Sequence, residues 1–115
     1  MKAVRCKQYG PPESLVVEEI PALVPGPGEV VVSTHAGAVN FPDTLIIKNK
    51  YQFKPALPFS PGSEMSGTIK QVGEGVCGFA PGERVIAMCG WGGYAEEVVA
   101  TVDKLMTNWL TEKTP

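Results

Sequence analysis

The sequence predicts a mainly β domain, either a barrel or a sandwich, with one or two short helices. Thirteen glycines and eleven prolines make up about a fifth of the 115 residues, as expected where many short strands must turn sharply. Short apolar runs recur at regular spacing with glycine close to each. The stretch 61–85 is the most informative, because it sets two strand-like runs between glycine and proline residues, a pattern that excludes a helix.

Six segments have the composition of strands: 1–8, 15–20, 29–34, 65–72, 84–88 and 94–99. The turn 9–12 separates the first two strands. Segment 21–28 has three prolines among its first seven residues, which predicts an extended surface connection. The run of three valines within 29–34 is typical of a buried strand.

One helix is predicted over residues 40–48. Asn40 is a good N-cap, Pro42 suits the first turn, and Asp43 is placed to reach back to a backbone N–H. The loop 51–61 follows, where repeated prolines prevent regular pairing. Residues 102–115 fit a short helical turn, a frayed end or the start of a linker.

Composition excludes several classes of function. Ten basic and twelve acidic residues are scattered along the chain, which leaves no basic face for nucleic acid or an anionic membrane. The three cysteines show no Cys-x-x-Cys spacing, which argues against disulfides and a thiolate zinc cage. No targeting or membrane-spanning segment is evident. We expect one soluble cytoplasmic domain, or a mitochondrial one if a presequence was removed.

Residues 73–78 match the dinucleotide-binding pattern G-x-G-x-x-G and follow a predicted strand. In a true fingerprint the third glycine opens a helix, whose N-terminal amides face the pyrophosphate. Here Pro81 and Gly82 follow and would break such a helix. The pattern therefore predicts a glycine-rich β turn.

Several ordered motifs together resemble those of the medium-chain dehydrogenase/reductase superfamily, and within it the quinone oxidoreductase (zeta-crystallin-like) group. The resemblance covers about residues 1–105. The motifs are Asn-Phe-Pro-Asp at 40–43, Leu-Pro-Phe-Ser-Pro-Gly-Ser-Glu at 57–64, Gly-Thr-Ile at 67–69, Val-Gly-Glu-Gly-Val at 72–76, Pro-Gly-Glu-Arg-Val at 81–85 and Gly-Gly-Tyr-Ala-Glu at 92–96.

The resemblance implies a GroES-like, partly open β-barrel over residues 1–105, followed by a tail or truncated linker at 106–115. In that superfamily the barrel is the catalytic half of an enzyme, and a Rossmann domain, absent from these 115 residues, binds NADPH. The active site would lie in the cleft between the halves. A homodimer of the full-length form would be held largely by contacts of the Rossmann half, so the oligomeric state stays open.

Metal-dependent members of the superfamily hold a catalytic zinc with two side chains from these motifs. One is a cysteine three residues before the aspartate of the helix motif, and the other is a histidine directly before the glutamate of the Gly-His-Glu motif. Asn40 and Ser63 stand at those positions here. Amide and hydroxyl oxygens make no tight zinc site, so zinc is not expected. The chemistry that the resemblance implies without zinc is hydride transfer from NADPH to a quinone or enone, whose anionic product hydrogen bonds can stabilise.

The resemblance also suggests which side chains form the site. Asn40 would contact cofactor and substrate and Tyr51 a quinone oxygen, which makes these two the catalytic candidates. Ser60 and Ser63 would contact the cofactor. The residues expected along the substrate cleft are Phe41, Asp43 and Tyr94.

Each of these residues also has a structural interpretation that stays open. Asn40 and Asp43 cap a helix, Tyr51 suits a packed loop, and the serines flank a proline-glycine turn. His35 is expected to be structural, and Cys77 and Cys89 to be small apolar fillers or surface thiols. The alternative function is a truncated stand-alone domain without catalysis, acting at most as a binding module.

Overall fold

The computed structural model of the chain describes residues 1–107. Within them, seven antiparallel strands form two separate sheets that do not close into a barrel. The strands are β1 (Lys2–Arg5), β2 (Val16–Glu19), β3 (Glu29–Gly37), β4 (Met65–Val72), β5 (Arg84–Ala87), β6 (Glu97–Thr101) and β7 (Leu105–Thr107). The helix is α1 (Phe41–Ile46), and 3-10 turns occupy Pro12–Ser14 and Val102–Lys104. The prediction of a mainly β, partly open fold with few helices is confirmed.

The larger sheet has the strand order β6-β3-β4-β5-β7 and carries the main core. Its long strand β3 pairs with both β4 and β6, and two register irregularities in the β3–β4 ladder bend the strand. Alternate side chains of these strands point to one face and exclude water there. The buried residues of this core are Val30, Val32, Met65, Ile69, Val85, Ala87, Val98, Ala100 and Leu105.

The smaller sheet pairs β1 with β2 and is joined to the rest through β1. The backbone N–H of Val4 donates to the carbonyl of Tyr94 at 2.8 Å, and that of Cys6 donates to the carbonyl of Phe59 at 2.7 Å. Cys6 and Phe59 also belong to a second buried cluster with Ile46 and Ile47 of the helical segment. Strand β1 therefore contacts the loop before β6 through Val4, and the next residue, Cys6, contacts Phe59 and the helical segment.

Three boundaries differ from the sequence predictions. The helix ends at Ile46, because Asn49 adopts a positive φ of 59° and turns the chain. Tyr94 precedes β6, which begins at Glu97, because residues 90–94 bond to the loop 60–63 through irregular backbone contacts. Met106 and Thr107, assigned to a tail from the sequence, pair with β5 as part of β7. The remainder of that tail, with Trp109 and Leu110, lies outside the described residues.

The glycine-rich segment 73–78 forms a turn, as predicted. Gly73 donates its N–H to the carbonyl of Glu29, and a Cβ at Gly73 would lie 2.0 Å from the carbonyl oxygen of Gly26. The next regular element in the described chain is strand β5, so no helix opens directly after this turn. No helix within residues 1–107 has the length and apolar character needed to cross a membrane.

An ion pair between Lys70 and Glu97 ties β4 to β6 at the edge of the core. Lys70 Nζ lies 2.5 Å from Glu97 Oε2, and the Glu97 side chain is only 9 % exposed. Glu97 Oε1 also accepts the backbone N–H of Leu23 at 3.3 Å. The hydrogen bond from Lys70 lowers the pKa of Glu97 below its ordinary value of 4.5.

We expect Glu97→Gln to reduce the acid sensitivity of the fold. A carboxylate with a lowered folded-state pKa contributes stability above its unfolded pKa, and this stability is lost as the pH falls through the folded value. The stability difference between the parent chain and Glu97→Gln should therefore shrink between about pH 7 and about pH 3.5, as measured by urea unfolding. Exposed Glu74→Gln is the control. A difference that stays constant with pH would contradict the prediction.

Candidate functional site

The start of helix α1 is held by a buried carboxylate. Asn40 is the N-cap, with extended backbone angles of φ −125° and ψ 160°. Asp43 is 5 % exposed, and its Oδ2 atom accepts the backbone N–H of Asn40 at 2.9 Å. The same Oδ2 atom accepts the hydroxyl of Tyr94, also at 2.9 Å. Capping by Asp43, predicted from the sequence, is confirmed, and the tyrosine adds a link to a distant loop.

Two loops cross beside this helix and bond to one another through their backbones. The N–H groups of Gly92, Gly93 and Tyr94 donate to the carbonyls of residues 60, 62 and 61, at distances between 2.7 and 3.0 Å. Gly62 has a φ of +108°, and a Cβ there would lie 2.7 Å from Tyr94 Cδ1. The ring of Tyr94 therefore lies directly against Gly62, a contact that requires glycine at this position.

The crossing brings Asn40 and Ser63 together. Asn40 Nδ2 donates to Ser63 Oγ at 3.2 Å, and both residues are partly buried. A primary amide has two N–H donors and a hydroxyl has one donor of its own. The pair can therefore present an N–H and an O–H side by side to an oxygen that carries, or develops, negative charge. We call these two residues the Asn40–Ser63 pair.

The Tyr94 hydroxyl and the Cys89 thiol are both kept protonated by their surroundings. Burial, together with the hydrogen bond to Asp43, raises the pKa of the Tyr94 hydroxyl far above its ordinary value. Burial likewise raises the pKa of the Cys89 thiol, and the nearby carboxylates of Asp43 and Glu64 act in the same direction. Neither group is suited to act as a base or nucleophile near neutral pH.

The sequence predicts Cys89 to be a small filler or a surface thiol. In the structure its side chain contacts the backbone of Ser63. Its Sγ donates to the carbonyls of Gly62 and Ser63 at 3.5 and 3.6 Å, and it packs against the main core. No local pattern in the sequence indicates this contact, because it depends on loops 26 residues apart. His35 bonds to Thr68 across β3 and β4 at 3.2 Å, as expected of a structural histidine.

Three other predicted site residues, Tyr51, Phe41 and Ser60, make no hydrogen bond to the pair within residues 1–107. Tyr51 packs on the cluster of Ile46, Ile47 and Phe59, with its ring edge-on to Phe53 at a centroid distance of 5.5 Å. Phe41 is 74 % exposed at the start of α1.

Ser60 is 6 % exposed, and its hydroxyl has no hydrogen-bond partner within the described chain. It lies beside a groove of about 330 Å³ that Trp91 and Leu23 also line.

The residues that could hold a metal ion do not cluster here. Within residues 1–107, no three His, Cys, Asp or Glu side chains are grouped so as to bind one. At the pair itself the available groups are an amide and a hydroxyl, which are weak ligands for zinc. The donor set suits a carbonyl oxygen better than a cation.

Comparison with known proteins identifies the family. Residues 26–109 match the model of the alcohol dehydrogenase GroES-like domain. A quinone oxidoreductase-like protein 2 homolog of Nematostella vectensis is 44 % identical over 100 residues, which are 85 % of this chain and 27 % of that protein. The quinone oxidoreductase of Rattus norvegicus is 41 % identical over 99 residues, which are 84 % of this chain and 30 % of that protein.

The comparison with solved structures also finds a quinone oxidoreductase. The fold matches Escherichia coli quinone oxidoreductase complexed with NADPH with a TM-score of 0.87 at 30 % identity, over 93 % of this chain and 33 % of that one. The chain therefore spans about a third of the length of the relatives that it matches. It belongs to the alcohol dehydrogenase GroES-like domain family of the medium-chain dehydrogenase/reductase superfamily, and its relatives are quinone oxidoreductases.

Proposed function

We propose that residues 1–105 are the catalytic-domain portion of a zinc-independent, NADPH-dependent reductase of quinones and enones. The Asn40–Ser63 pair, held at 3.2 Å beside a buried carboxylate, is the observation that carries the proposal. The names of the relatives support quinone-type substrates, and the NADPH complex of one structural neighbour supports the cofactor.

The pair has the chemistry that reduction of a conjugated carbonyl requires. When bound, NADPH supplies the hydride. Negative charge then develops on the carbonyl oxygen, and donors that are already oriented stabilise it without reorganisation. Asn40 would donate its second N–H and Ser63 its O–H to that oxygen, or one of them to the cofactor carboxamide. This role needs no metal ion in the site, which is the basis for proposing zinc independence.

The remaining site residues have supporting roles in this proposal. Tyr51 would approach the second quinone oxygen with its phenol, and exposed Phe41 would form an apolar wall of the cleft. Ser60 would turn its unpartnered hydroxyl toward the cofactor, since a buried hydroxyl without a partner is costly. Asp43 and Tyr94 would hold the Asn40–Ser63 pair in position through their hydrogen bonds.

A stand-alone binding module is the second candidate, and one observation favours it. Val39 and Phe41 lie on either side of Asn40 and are 80 % and 74 % exposed, which is a large exposure for two apolar side chains so near in sequence. A partner protein could cover them in place of a cofactor domain. In that case the chain would bind without catalysis.

A hybrid protein tests the proposed function. Residues 1–105 replace the matching segment of Escherichia coli quinone oxidoreductase, and NADPH oxidation is followed with a naphthoquinone. We expect quinone-dependent oxidation, and we expect Asn40→Ala with Ser63→Ala to lower kcat/KM at least about 100-fold, the usual cost of losing such donors. Gln52→Ala, at an exposed position of the neighbouring loop, is the control.

Two outcomes would contradict the proposal. One is a folded hybrid that binds NADPH yet reduces neither quinones nor enones. The other is tight NADPH binding by the 115-residue chain alone in a calorimetric titration, because one wall of a cleft should not hold the cofactor. An inactive hybrid, together with capture of a protein partner through Phe41, would favour the binding module.

A further inference from the structure

We propose that Tyr94 is a positioning residue, which sets the distance between Asn40 and Ser63 by bridging the start of helix α1 and the loop 60–63. The inference rests on the proposed function for what the pair does, but not for the geometry itself.

Tyr94 contacts both segments that carry the pair. Its ring lies against Gly62, the residue before Ser63, and its hydroxyl donates to Asp43 of α1 at 2.9 Å. Its backbone is also fixed, because its N–H donates to Pro61 at 2.9 Å and its carbonyl accepts from Val4 of β1 at 2.8 Å. The side chain therefore spans the gap between two segments from a backbone that is held on both sides.

The shared oxygen of Asp43 transmits this constraint to Asn40. Asp43 Oδ2 accepts the Tyr94 hydroxyl and the Asn40 backbone N–H at the same distance of 2.9 Å. Without the Tyr94 hydroxyl, the Asp43 carboxylate would rotate more easily. The backbone N–H of Asn40 would then no longer be held in one position. Because burial and the hydrogen bond to Asp43 raise the pKa of Tyr94, its hydroxyl remains a donor at neutral pH.

The bond between Asn40 and Ser63 is sensitive to such a change. Its length of 3.2 Å is at the upper end of the range for an N–H···O hydrogen bond. A displacement of a few tenths of an ångström would weaken it. By contrast, the Ser63 side is held by its own backbone, since its carbonyl accepts the N–H of Gly90 at 3.0 Å. Tyr94 acts on the Asn40 side of this bond through Asp43.

Tyr94→Phe tests the inference on the 115-residue chain, with no cofactor or substrate present. The variant keeps the ring on Gly62 and removes only the hydroxyl. We expect the side-chain amide protons of Asn40, observed by ¹⁵N NMR, to exchange with water about fivefold faster, the factor expected for one neutral hydrogen bond. The side-chain amide of Asn49 in the same spectrum is the internal reference.

Tyr9→Phe is the matched control, because Tyr9 is exposed and lies in the turn after β1. It should leave the Asn40 signals unchanged. If Tyr94→Phe does not fold, Asp43→Asn is used, since it keeps an oxygen at the same place but accepts the tyrosine hydroxyl more weakly. Faster exchange at Asn40 is expected there too. Unchanged Asn40 exchange in a folded variant overturns the inference.

The exchange measurements on the 115-residue chain do not depend on the proposed function. A folded hybrid that binds NADPH but is inactive, together with faster Asn40 exchange in Tyr94→Phe, would overturn the proposed function and leave the positioning role intact. In an active hybrid, Tyr94→Phe should lower kcat several-fold while the KM for quinone changes little, because the ring and the cleft surface remain. A purely structural tyrosine would lower the melting temperature without altering the Asn40 amide or kcat, and that result would overturn the positioning role.

Discussion

Asp43→Ala is expected to lower the free energy of unfolding by about 2–4 kcal/mol, because two hydrogen-bond donors lose their acceptor at once. The donors are the hydroxyl of Tyr94 and the backbone N–H of Asn40, each 2.9 Å from Asp43 Oδ2. Both donors are partly buried, so water replaces the lost acceptor incompletely. The helix also loses its capping carboxylate. Urea unfolding at neutral pH measures the effect.

Asp43→Asn separates the loss of the acceptor from the loss of the charge. Asparagine keeps one side-chain oxygen of the same reach, so we expect about 1 kcal/mol or less of destabilisation if acceptance dominates. If Asp43→Asn were as harmful as Asp43→Ala, the charge would matter more than the two bonds. If Asp43→Ala cost less than about 0.5 kcal/mol, as an ordinary surface change does, the network would not be a stabilising one.

Much of the fold follows from local sequence signals. The β-branched residues of β3 and β6 are mostly buried, and glycine marks the turns beside these strands. The approximate positions of both strands could therefore be predicted. Strand β7 could not, because it has three residues, of which only Leu105 is buried. Its pairing with β5 depends on the sheet already being formed, which no local pattern reports.

Only the local contacts of the candidate site could be predicted from the sequence. Asn40 and Asp43 sit three residues apart at a helix start, and this spacing alone indicates the capping contact. The contact of Asn40 with Ser63, and of Tyr94 with Asp43, joins residues 23 and 51 positions apart. These contacts depend on the close approach of Gly62 to Gly93, where a Cβ on Gly93 would lie 2.9 Å from the carbonyl oxygen of Gly62. Such complementarity is a property of the folded loops.

Gly67→Ala is expected to disrupt the large sheet. Gly67 lies in the middle of β4, where it pairs with Thr34 of β3 and Val85 of β5. A Cβ at this position would lie 2.0 Å from the carbonyl oxygen of Ser33 and 3.0 Å from Val32 Cγ1. The obstacle is backbone in a central strand, so relief requires breaking the β3–β4 ladder. We expect a loss of more than about 4 kcal/mol, measured by urea unfolding.

Gly37→Ala provides the matched control for this steric argument. Gly37 ends β3 in the same ladder, but the nearest atom to a Cβ there would be the carbonyl oxygen of Gly93 at 3.6 Å, an ordinary contact. Its alanine variant should therefore stay within about 1 kcal/mol of the parent chain. A domain of this size has about 5–15 kcal/mol of stability in total, so Gly67→Ala should be largely unfolded in mild urea while Gly37→Ala is not. Equal stability of the two variants would mean that β3 and β4 can separate locally without loss of the fold.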